Sequence, residues 1–137
     1  MLVTATVVQS CSAVAIPVLF GTYAGSADVN TSGSVTVTCT SDSPYKVRID
    51  KGLNGSSVTA RKMKSTALNA TDTLNYGLFR DSGRSQPWGE TDGTDTQTGT
   101  PTIANLVQAF TVYANLPAGQ AVPAGGYSDT VTITIAY

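Results

Sequence analysis

Four carboxylates, Asp81, Glu90, Asp92 and Asp95, fall in or beside one stretch rich in Gly, Thr, Ser and Asp, and the only tryptophan, Trp88, lies among them. Two facing carboxylates could act as acid and base on a glycosidic bond. The indole face of Trp88 could stack on a sugar ring or another surface while Glu90 and Asp92 hold hydroxyls. Against both stands a plainer reading: loop carboxylates in solvent, and a tryptophan beside Pro87 that covers the end of the core. Calcium would be another use of the group, but Asp92-Gly93-Thr94-Asp95 lacks the regular ligand ladder of an EF-hand loop. The chain has no histidine, which excludes a Ser-His-Asp or Cys-His arrangement, and P-loop and dinucleotide patterns are missing. Neither catalysis nor a cofactor or metal is expected.

Cys11 and Cys39 are the only cysteines, and each ends an alternating segment. One pair without histidine is more simply a disulfide than half a zinc site. A disulfide favours the periplasm or the cell exterior. Only 12% of residues are charged, about half the usual share, and polarity comes instead from Thr, Ser, Asn and Gln. A net charge of −1 supplies no basic stripe for nucleic acid and no polybasic patch for anionic lipid. No run approaches the ~20 apolar residues that cross a bilayer, and no signal-peptide pattern opens the chain. Neither nucleic-acid binding nor membrane insertion is expected, and 137 residues suit one domain, 1–137.

The elements that must position these residues read as strands. From Tyr127 the odd positions Tyr127, Val131, Ile133, Ile135 and Tyr137 are apolar, with Ser and Thr between them, which predicts a strand with one dry face after the Gly125-Gly126 turn. Residues 2–11 alternate with Val3, Ala5, Val7 and Cys11 on one side and read as a first strand. Ala13–Phe20 is a second apolar run, and Pro17 demotes it to an edge or a switch between sheets. Ser34–Thr40 turns Val35, Val37 and Cys39 to one face, so Cys11 and Cys39 can meet if the first strand lies beside it. Tyr45, Val47 and Ile49 form the sharpest short strand, and Leu74, Tyr76 and Leu78 supply another buried face. Residues 81–99 have the composition of a long loop. Pro101–Leu116 fits helical spacing as well, but Thr111, Val112 and Tyr113 and the surrounding strands favour β. Short strands between turn signals predict an all-β, antiparallel β-sandwich.

These residues, in this order, resemble the spore coat protein U domain family, which includes subunits of archaic chaperone–usher pili. The resemblance spans nearly the whole chain. It rests on Cys11 followed by Phe20-Gly21-Thr22-Tyr23, on Cys39 and the Tyr45–Ile49 strand, on Arg61-Lys62-Met63, and on Leu74 through Asp81. Trp88-Gly89, Leu116-Pro117-Ala118-Gly119-Gln120 and the run from Pro123 to Thr132 complete it, with Tyr137 at the end.

The resemblance implies an immunoglobulin-like sandwich one strand short, its groove filled by an extended strand from another molecule. A periplasmic chaperone lends that strand first, and the N-terminal segment of the next subunit replaces it at an outer-membrane usher. The mode is β-strand addition, with backbone bonds for affinity and alternate side chains for pockets. On this reading Val131, Ile133, Ile135 and Tyr137 border the groove and face the chaperone, and a Cys11–Cys39 bond ties the first two strands. Val131, Ile133, Ile135 and Tyr137 would otherwise be core residues of a closed sandwich. The family's donor segment precedes the first strand, whereas ten residues precede Cys11 here, so Val3, Ala5 and Val7 serve as donor or as first strand. Three explanations stand: a start trimmed of earlier residues with Met1 added, a subunit that only accepts a strand, or donation of Leu2–Val8 to a neighbour. The expected function is a structural, non-enzymatic pilus subunit, polymerising with its neighbours through donor-strand exchange and contributing to adhesion and biofilm. It would be secreted through the periplasm to a surface fibre. The alternatives are an adhesin domain using Trp88 and the 81–99 loop, or a spore-coat structural protein.

Overall fold

Alternating apolar residues pay for strand burial only if a second layer covers their face, and here two antiparallel sheets cover each other. A computed structural model describes Met1–Tyr137. In chain order the strands are β1 (Cys11–Ile16), β2 (Val29–Cys39), β3 (Tyr45–Ile49), β4 (Arg61–Ser65), β5 (Thr73–Phe79), β6 (Gln97–Gly99), β7 (Val107–Leu116), β8 (Tyr127–Ser128) and β9 (Ile133–Ala136). One sheet has the order β1-β2-β7-β5-β4-β8 and the other β6-β3-β9. There is no helix.

The core forms where the alternation points inward. Val35, Val37 and Cys39 of β2, Tyr45, Val47 and Ile49 of β3, and Leu74, Tyr76 and Leu78 of β5 are all buried, with Val112, Ala114 and Leu116 of β7 closing the layer. On β7 the inward series begins with Gln108, which would be a buried amide without partners. Its Oε1 instead accepts from the Tyr45 hydroxyl (2.9 Å) and the Thr100 amide (2.9 Å). That pairing lets a polar residue occupy an inward position. The segment before β7 is a turn closed by Thr102 and Asn105 rather than part of the strand.

The start of the chain differs from its sequence pattern. The first strand is not residues 2–11 but β1, Cys11–Ile16, which pairs with β2 from Cys11↔Cys39 to Ile16↔Ser34. Val3, Ala5 and Val7 lie outside every strand and are exposed. Alternation marks which residues share a face but not which strand they pair with, and β2 offers its edge only to residues 11–16. The strand stops at the residue before Pro17, as expected where the next residue has no N–H to give. Cys11 and Cys39 stand directly opposite and form a disulfide.

Candidate functional site

β9 has one hydrogen-bonded neighbour, β3, along Lys46↔Ala136 to Ile49↔Ile133. Its other edge meets no strand. β1 likewise pairs only with β2, and although its sequence is CSAVAI, residues Ser12–Ile16 are exposed on both faces. Between these two unpaired edges lies an apolar cavity of about 1010 Å³. One wall is the chain from Ala15 to Ala24, the other runs from Gln120 to Val131 and Ile133, and the floor is the sandwich core itself, including Val35, Ile49, Leu74, Tyr76, Leu78, Val112 and Leu116. Core residues at the bottom of an open cleft mean that a layer of the sandwich stops short.

The walls include Pro17–Phe20 and the Gln120–Thr130 segment. Beside the start of β1 the Cys11 amide donates to the Tyr137 hydroxyl (3.3 Å), so this tyrosine links the β1 side to the β9 side. Val131 and Ile133 line the cavity, whereas Ile135 and Tyr137 lie beyond it. Both Ile133 and Ile135 are half-buried, and Tyr137 is 61% exposed. Val131 precedes β9 and is held in line by bonds to the chain after β3: Asp50 N–H to Thr132 O and Leu53 N–H to Thr130 O, 3.1 Å each.

A polar knot fixes the far wall. The Asp129 carboxylate accepts from the Leu53 amide (3.1 Å), the Asn54 side-chain amide (3.0 Å) and the Tyr76 hydroxyl (2.5 Å). Burial, then the bond to Asp129 and its charge, push the Tyr76 hydroxyl far above the ordinary phenol value. Tyr76 therefore stays a donor, and its ring remains part of the groove floor. At Gly52, φ is +78° and an added Cβ would fall 2.1 Å from the Asp129 carboxylate, so glycine is required on both counts.

The residues first singled out for chemistry are elsewhere and otherwise occupied. Trp88 has 0% exposure, which corrects its reading as a sugar or surface contact. Its indole N–H donates to Val47 O (2.8 Å) and its ring meets Phe110 edge-on, so no indole face is free to stack on a ligand. Asp81 accepts from the Ser85 amide and hydroxyl and from the Gln86 amide. Asp92 forms an ion pair with Arg48, and Asp95 accepts from the Thr91 amide (2.7 Å). The bond from Ser85 holds the Asp81 carboxyl below its usual range, and the bond from Arg48 does the same for Asp92. A general acid needs the opposite shift, so these carboxylates shape the 81–99 turn.

One central residue gave no sign of its role in the sequence. Arg61 is completely buried, and its guanidinium donates to the backbone carbonyls of Ile49, Asp50, Val58 and Trp88 at 2.7–3.0 Å. Burial lowers its pKa, and the charges of Asp50, Asp129 and Asp95 act in the other direction. A cation just ahead of a polar stretch reads as solvated, and only the convergence of four carbonyls distinguishes it. Its sole sequence signal was membership of the Arg61-Lys62-Met63 motif.

These features define a class: an antiparallel sandwich with one edge of each wall unpaired around an open apolar groove. The family follows from comparison. The Spore Coat Protein U domain model matches residues 1–134, and the chain belongs to that family. It is 36% identical over 131 residues to "Protein U" of Myxococcus xanthus, covering 86% of this chain and 70% of that protein. Among solved structures, it resembles a chain in the CsuC–CsuE chaperone–tip adhesion subunit pre-assembly complex from the archaic chaperone–usher Csu pili of Acinetobacter baumannii. That match has a TM-score of 0.70 and 25% identity, and covers 96% of this chain but only 41% of the other.

Proposed function

We propose that residues 1–137 form one pilin domain, a structural, non-enzymatic subunit of a surface fibre that is completed by a strand from another molecule. The observation that carries this reading is the groove: β9 and β1 each have an unpaired edge, and between them an apolar cavity of about 1010 Å³ lies against the core. An unpaired edge is a template for another strand, and an extended donor would gain ladder bonds from β9 while alternate side chains fill the cavity. Val131 and Ile133 would receive those side chains, and Ile135 and Tyr137 would extend the edge toward Cys11. A periplasmic chaperone and then a neighbouring subunit would supply the strand, with an outer-membrane usher between them. Attachment and biofilm formation would follow from the fibre. Membership of the family and the likeness to a chaperone-bound pilus subunit complex support the same reading.

The test is size-exclusion chromatography with light scattering on the purified chain, with and without a peptide copying Leu2–Gln9. The expected result is assemblies or aggregates alone and a discrete monomer–peptide complex when peptide is in excess. A stable monomer indifferent to peptide would overturn the proposal. A spore-coat subunit is a second reading, favoured by the description of the family; it uses the same groove and differs in where the protein is deposited.

A further inference from the structure

The segment that could fill a groove, Leu2–Val8, is apolar, exposed and free of hydrogen bonds to the rest of the chain. Extended, its seven residues span roughly 23 Å. Its exit direction is fixed just after it. The Gln9 side chain pairs with the Ser43 backbone in both senses, Nε2 donating to Ser43 O (2.8 Å) and Oε1 accepting from the Ser43 amide (2.9 Å). Ser10 donates to the Thr40 hydroxyl (2.9 Å) and accepts from the Thr40 amide (2.9 Å). These four bonds continue the β1–β2 pairing past the disulfide at Cys11↔Cys39.

The arm is thereby aimed away from its own groove. The cavity begins at Ala15, toward the far end of β1, while the arm leaves from the near end in the opposite direction. To enter its own groove the chain would have to reverse within residues 9–11 and break all four bonds, and the Cys11 amide is already committed to Tyr137. Another copy faces no such cost.

We propose that the Gln9–Ser43 clasp, with the Ser10–Thr40 pair, is the device that prevents self-closure and commits Leu2–Val8 to the groove of a second copy of this chain. The inference rests on the proposed strand donation and deepens it: Gln9 is a positioning residue that selects growth over a closed monomer. Gln9→Ala removes two of the four bonds, and at the usual strength of such bonds the ratio of self-closed monomer to assembly rises about tenfold. Gln9→Glu keeps the acceptor for the Ser43 amide and loses the donor, so it falls between.

The experiment compares the full chain, Gln9→Ala and Gln9→Glu by size-exclusion chromatography with light scattering, each with and without a fluorescent peptide copying Leu2–Gln9. A self-closed monomer refuses the peptide; an open one binds it. The expected result is a peptide-refusing monomer that is scarce in the parent chain, intermediate in Gln9→Glu and about tenfold enriched in Gln9→Ala. An unchanged partition in both variants, with the parent chain still binding peptide, overturns the clasp and leaves the groove reading intact. A parent chain that neither assembles nor binds peptide overturns both.

Discussion

The Trp88–Arg61 region and the groove beside β9 share one core and differ in what their backbone meets. Around Arg61 four carbonyls converge on one guanidinium, and Trp88 gives its N–H to Val47 and its ring to Phe110. Along the groove, the free edges of β9 and β1 have no partner in the chain, and apolar side chains line open space. The first region is closed by satisfied polar groups, and the second is left open with edge groups that meet only solvent. Edge groups open to water are hydrated rather than orphaned, so they stay available as a template for another strand. The closed region and the open groove are thus separated in space.

That separation can be broken by substitution. The largest effect belongs to the closed region: Trp88→Ala should lower stability by about 3–5 kcal/mol, read as a shift in urea midpoint at unchanged slope. Arg61→Met leaves four carbonyls without a donor and should cost about 3 kcal/mol or more. A loss under about 1 kcal/mol in either variant would show that this region does not hold the sandwich together. Removing the disulfide by Cys11→Ala with Cys39→Ala, across 28 residues of chain, should cost about 3 kcal/mol. It should also loosen β1, so peptide binding is expected to weaken alongside.

Groove substitutions sharpen the contrast. Ile133→Asp places a charge on a half-buried wall position, so the chain without peptide should lose less than the roughly 3 kcal/mol expected at Trp88 or Arg61. Binding of the Leu2–Gln9 peptide should nevertheless fall tenfold or more, because the charge would be desolvated by the incoming strand. Equal losses of stability and binding would erase the distinction between the two regions.

The smallest effects come from pH. Asp81 and Asp92 have carboxyls held below the usual range by Ser85 and Arg48 respectively. Their contribution is present above the unfolded value of about 3.9 and is lost as the pH falls through the folded values. Melting temperature should therefore be level from about pH 5 to neutrality and fall below about pH 4. Tyr76 acts on the other limb: its folded value is raised, so its contribution is full below the unfolded value of about 10 and declines as the pH rises above it. Tyr76→Phe should flatten the alkaline decline.

Much of this architecture was legible from spacing. Tyr45, Val47 and Ile49, and likewise Leu74, Tyr76 and Leu78, alternate with polar neighbours, and both sets are buried. Pro17 marked Ala13–Phe20 as an edge or a switch between sheets, and β1 is an edge strand that stops at Ile16. The residues that misled did so for identifiable reasons. Leu2–Val8 alternates as well as β1 does, yet the edge of β2 is taken by Cys11–Ile16, and an alternating segment with no partner remains an arm. Trp88 sits in a stretch with loop composition, but a turn braced by Asp81 and Asp95 folds it onto the core. Arg61 could not be recognised because its partners are carbonyls, which every residue possesses.

By itself the sequence determined the buried faces of β2, β3 and β5, the cysteine pair and the absence of imidazole chemistry, because these depend on residue type and a period of two. The run it predicts as one strand from Tyr127 to Tyr137 is instead divided into β8 and β9, which pair in different sheets, because the same alternation fits either partner. Only the tertiary structure decided which edges go unpaired, where the cavity opens and which way the arm leaves the domain. Those depend on pairing between distant segments, and a backbone N–H or C=O carries no mark in the sequence of whether it will find a partner.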